Sequence, residues 1–130
     1  MLSKPTAGWT TITLGEKKIS ASYLTDVPFD LAKGIIETKM DKTPHAVTID
    51  AESAGTYIIL FDVYQTYIIE EDFEPKIFLF EKNIEELSKE LASDLEKYFK
   101  DWLLWEDDYD PLELDEETQK KYNNIIFERE

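Results

Sequence analysis

The sequence predicts an α+β fold: an antiparallel sheet of five or six strands with two main helices, in the order β-β-α-β-β-β-α. Three observations predict it. Short β-branched and aromatic runs separated by a few residues fill the first and middle parts of the chain. These connections are too short for parallel crossovers, so the strands pair antiparallel. Two stretches repeat apolar residues at helical rather than strand spacing. At 130 residues, with 42% hydrophobic residues, the chain forms one domain, 1–130, with a real core.

Trp9–Leu14 and Lys18–Leu24 read as a hairpin, with Gly15-Glu16 at the turn and Ile12 and Leu14 facing one way. Asp26 followed by Val27-Pro28 is a helix start, an acid at the N-cap and proline in the first turn. Leu31, Ala32, Ile35, Ile36 and Met40 then recur at helical spacing. Gly34 weakens that helix by about 1 kcal/mol relative to alanine, and packing on a sheet gives it a use, close approach. Thr43-Pro44 ends the segment. Ala46–Glu52 alternates as a strand, and Ser53-Ala54-Gly55 is a turn. Thr56–Asp62, dense in tyrosine and isoleucine, reads as a central strand covered on both faces. Tyr67–Glu71 is a further strand if the chain turns at Asp62–Gln65; that turn lacks glycine and proline, so one long bent strand over 56–71 is the alternative. Lys76–Glu81 follows the break at Glu74-Pro75.

Ile84–Trp105 reads as the second helix, capped by Asn83 with Glu86 completing an approximate capping box. Ile84, Leu87, Leu91, Leu95, Tyr98, Trp102 and Trp105 lie in steps of three and four, one helix face. Beyond it the chain is acidic. Tyr122, Ile125, Ile126 and Phe127 restore an apolar patch, which predicts a docked C-terminal segment.

Charge is distributed unevenly. Residues 1–50 carry six acids and six lysines, 51–100 twelve acids and five lysines, and 101–130 eleven acids against Lys120, Lys121 and Arg129. The sum is −15. Such a field repels nucleic acid and anionic membrane and favours a basic partner. Arg129 is the single arginine, which also argues against reading phosphates. Cysteine is absent, so disulfides and thiolate metal sites are excluded. No long apolar run marks a signal peptide or a membrane span, and a cytoplasmic protein is expected.

Catalytic signatures are missing. His45 is the single histidine, and no serine stands in a nucleophile elbow. Asp62 with Glu74-Pro75-Lys76 has the shape of the acid and Glu-x-Lys pattern of metal-dependent nucleases, in which the acids hold Mg²⁺. Pro75 inside the pattern and the absence of a basic groove count against it. The acids from Asp107 to Glu117 lack the glycine and the register of a calcium loop. The expectation is no catalytic residue, no metal site and no cofactor.

The aromatic and acidic cluster is the candidate binding site: Trp105, Asp107, Asp108, Tyr109 and Asp110. Aromatic anchors supply contact energy, and acids supply steering and specificity. In overall character, and in the stretch Trp-Glu-Asp-Asp-Tyr-Asp, the chain resembles small immunity proteins of bacterial toxin–immunity systems. The resemblance implies a non-catalytic protein that neutralises a basic toxin, such as a nuclease, by occlusion. Three alternatives stand beside it. A phage or plasmid DNA mimic that inhibits a DNA-binding enzyme needs a long ladder of carboxylates. A small metal-dependent hydrolase or nuclease needs a deep pocket of converged acids or His45. A structural or accessory subunit presents a flat apolar patch instead.

Overall fold

The computed structural model describes residues 1–23 and 26–103. The elements are β1 (Trp9–Leu14), β2 (Lys17–Ser22), α1 (Val27–Asp41), β3 (His45–Asp50), β4 (Thr56–Phe61), β5 (Thr66–Glu71), β6 (Lys76–Phe80), α2 (Ile84–Lys97) and α3 (Phe99–Leu103). All strand pairs are antiparallel. The fold is α+β, as the sequence predicts.

The strands form two sheets rather than one: the hairpin β1-β2 and the meander β3-β4-β5-β6. The hairpin is amphipathic. Ile12, Leu14, Ile19 and Ala21 are buried on one side, and stacking that side on the meander removes it from water. Its turn fixes the stack. Lys17 Nζ lies 4.5 Å from the Phe78 ring centre and 5.3 Å from that of Tyr57, and 3.5 Å from Glu70 Oε2.

Residues 56–71 form two strands. Asp62–Gln65 turns without glycine or proline, held by the Asp62 N–H donating to the Gln65 carbonyl. The Val63 carbonyl accepts from the Ile84 N–H at 2.8 Å, which ties this turn to the start of α2.

Helix α1 packs on β3 and β4 through Gly34. A Cβ there would lie 2.7 Å from Val47 Cγ2 and 3.0 Å from Phe61 Cδ2, so the close approach requires glycine. Asp26 occupies the N-cap of α1 but makes no side-chain cap bond. Asn83 caps α2, its side chain accepting from the Glu85 N–H at 2.7 Å.

The helix predicted over Ile84–Trp105 is divided. Tyr98, at φ −117° and ψ 34°, ends α2, and α3 begins at Phe99. Trp102 of α3 is in the core, 1% exposed. Leu87, Leu91 and Leu95 are buried as expected, whereas Tyr98 is half-buried. The last predicted residues of that helix, and the segment with Tyr122, Ile125, Ile126 and Phe127, lie outside the described residues.

Candidate interaction surface

Helix α1 and the hairpin pack on one face of the meander, and α2 packs on α1. Val47, Ile49, Tyr57, Ile59, Phe61 and Ile68 of that face are buried. Strand alternation sends the intervening residues to the opposite face. The pairing register assembles them into rows. One row is Thr48, Ile58, Ile69 and Ile77. The next is Ala46, Leu60, Tyr67 and Leu79. A third, at one end, is Asp50, Thr56 and Glu71. Two apolar rows thus lie side by side and end on an acidic one.

This face is open among the described residues. Ile77 is 67% and Leu79 52% exposed. Ile58, Leu60, Tyr67 and Ile69 are half-buried. The sequence predicts Thr56–Asp62 to be covered on both faces; among the described residues β4 alternates half-buried with buried residues, so one face alone is fully covered by them. In the sequence, isoleucines on both faces of this strand read as two covered faces. The sequence does not say which layers exist to cover a strand.

Two exposed aromatics stand near the ends of this surface. Phe73, in the β5–β6 turn, is 98% exposed, and Tyr64, in the β4–β5 turn, 76%. Sequence reasoning passed over both because turn aromatics carry no periodic signal. A groove of about 500 Å³ lies between the β1–β2 turn, with Glu16 and Lys17 in its lining, and Ile68 of β5 and Ile77, Phe78 and Leu79 of β6.

The residues singled out for chemistry are dispersed. Asp62 and Glu74 lie at opposite ends of β5, so the nuclease-like pattern is not assembled. His45 opens β3 and sits between two carboxylates of α1: Nδ1 is 3.1 Å from Glu37 Oε2 and Nε2 is 2.7 Å from Asp41 Oδ2. The Asp41 carboxyl is held below its usual range, first by the Thr43 hydroxyl and N–H and then by His45. These contacts join the end of α1 to β3. Among the described residues no group of three or more histidine, aspartate or glutamate side chains is placed to hold a metal ion, and no helix is long and apolar enough to cross a membrane.

The cluster Trp105, Asp107, Asp108, Tyr109 and Asp110 lies outside the described residues. Its neighbour Trp102 belongs to the core. No family model, curated protein or solved structure matches this chain.

Proposed function

We propose that the chain is a non-catalytic binding protein that docks a basic protein on the open face of its four-stranded sheet. This is the mode of action of an immunity protein that occludes a basic toxin domain. The observation that carries the reading is the pair of apolar rows, Ile58-Ile69-Ile77 and Leu60-Tyr67-Leu79, ending on Asp50 and Glu71 in a chain of net charge −15. Apolar centres with charged margins are the anatomy of protein interfaces. The negative field steers a cationic partner toward them. The same rows weaken the DNA-mimic alternative, which needs carboxylates where this face has isoleucine and leucine.

The test is titration with purified basic nuclease toxin domains. Binding and stoichiometric loss of nuclease activity are expected. Association should slow with salt, and Tyr67→Ala with Ile69→Ala should speed dissociation. The chain itself should cleave no DNA with or without Mg²⁺. Failure to bind any such domain, or DNA cleavage abolished by Glu74→Gln, overturns the reading.

The exposed apolar rows of this face, with Ile77 and Leu79 at their ends, also support a second reading, an accessory subunit. Its signature is tight binding to a near-neutral protein with no salt dependence.

A further inference from the structure

We propose that in the free chain its own residues 118–127 lie on the open face of the four-stranded sheet, and that a partner docking there displaces them. The displacement rests on the reading above; the covering stands without it. Ile58, Leu60, Tyr67, Ile69, Ile77 and Leu79 form one continuous apolar patch in register, and Ile77 and Leu79 are exposed. A contiguous apolar patch on a folded chain marks a contact site.

Charge narrows the occupant. Asp50 and Glu71 close one end of the rows. Asp62 and Glu81 follow β4 and β6 at the other end, in phase with the outward residues. No basic residue stands at an outward position of these four strands. Lys76 alternates with Ile77 and falls on the other side, beside Glu70, which Lys17 also meets. The patch therefore suits an apolar segment that carries lysine and no acid. Residues 104–117 carry eight acids and no base, and charge keeps them off this face. Residues 118–127 hold Tyr122, Ile125, Ile126 and Phe127, with Lys120 and Lys121 and no acid.

The chain between is long enough. Thr118 follows Leu103 by 15 residues, which span at most about 50 Å. A four-stranded sheet is about 15 Å across, and stacked layers lie about 10 Å apart. A path from α3 round a sheet edge to the open face falls within that reach. The tether also holds the segment at an effective concentration of about millimolar. A second copy in dilute solution has no such advantage, and it brings acid against acid and another −15.

The chain has no cysteine, so one introduced thiol carries a nitroxide at a single place. Asn123→Cys, spin-labelled in the full-length isotope-labelled chain, should broaden the NMR signals of Ile58, Leu60, Ile69, Ile77 and Leu79 and spare those of Leu87 and Leu95. Lys120→Glu with Lys121→Glu, and separately the exposed pair Ile77→Ser with Leu79→Ser, should restore the remaining signals of the face. Broadening confined to the helices, or none, overturns the proposal. So does broadening of the face when the nitroxide sits on a second, unlabelled copy mixed with the cysteine-free labelled chain, because the cover is then intermolecular. For the displacement, Ile125→Ser with Ile126→Ser and Phe127→Ser should tighten binding of a basic nuclease toxin domain about tenfold, since an occupied face lowers apparent affinity by the fraction left open. Unchanged affinity overturns the displacement. Toxin binding without any cover in the free chain leaves the proposed function intact, whereas a covered face that no toxin domain binds removes that function and not the cover.

Discussion

Gly34 decides how closely α1 lies on the sheet. Alanine at this position gains about 1 kcal/mol of helix propensity. Its Cβ would meet Val47 Cγ2 at 2.7 Å and Phe61 Cδ2 at 3.0 Å. Overpacking of this kind costs about 1–3 kcal/mol. Gly34→Ala should therefore lower stability, and urea melts should show an earlier midpoint at unchanged slope. A later midpoint would mean that α1 stands further from β3 and β4. Thr66 presents the opposite case. It is fully buried in β5, and its hydroxyl has no hydrogen-bond partner among the described residues. Valine keeps the shape and the β-branch and removes the stranded polar group. Thr66→Val should raise stability by about 1–3 kcal/mol in the same melts. The glycine's purpose was open to sequence reasoning, because a glycine inside an apolar helical pattern invites a packing explanation. The threonine's burial was not, because it begins a strand beside a turn that looks solvent-facing.

Among the elements, α2 carries an electrostatic clasp for the start of the chain. The Met1 ammonium lies 2.9 Å from Glu90 Oε1 and 2.9 Å from Asp94 Oδ2, and Lys82 Nζ lies 2.5 Å from Glu90 Oε2. Burial by itself would lower the ammonium pKa, but the hydrogen bonds and charges of Asp94 and Glu90 outweigh it and raise the value above 8.0. Burial would likewise raise Glu90; Lys82 and the ammonium outweigh it and lower the value below 4.5. The two shifts bound a pH window. The ammonium's contribution is fully present below pH 8.0 and is lost as pH rises through its raised folded value. That of Glu90 is present above pH 4.5 and is lost as pH falls through its lowered one. Urea midpoints measured at fixed salt should fall on both sides of this window. Glu90→Gln should flatten both limbs, and unchanged limbs would show that the clasp does not hold in solution. The helix itself was legible from its apolar steps and from Asn83. Its division at Tyr98 was not, because Trp102 keeps the spacing of a continuous helix.

At the scale of the molecule, a net charge of −15 on 130 residues works against compactness. The Debye length is about 10 Å at 0.1 M salt and about 3 Å at 1 M. Screening therefore relieves repulsion between distant acids. Local ion pairs such as Lys39–Glu85 are also weakened, but exposed pairs contribute only about 0–1 kcal/mol each. The melting temperature should rise between low and high sodium chloride. A fall would mean that local pairs, not the net field, dominate the electrostatics of the folded state.

Class, strand order and most of the core follow from the sequence alone, because period-two and period-three-to-four patterns are local properties of a chain. Ile12, Leu14, Ile19, Leu31, Ile35, Leu87, Leu91 and Leu95 are all buried where those patterns place them. The charge asymmetry is equally a property of the sequence. Only the tertiary structure decided that the hairpin stacks as a second sheet instead of extending the first. Only it could decide that, among the described residues, the covering elements share one face, leaving Ile58, Leu60, Tyr67, Ile69, Ile77 and Leu79 on the other. An isoleucine in a strand has the same local pattern whether a helix or solvent lies above it. The covering layer is set by elements distant in sequence, so the open face emerges only once β4, β5 and β6 are paired and the helices have taken their side.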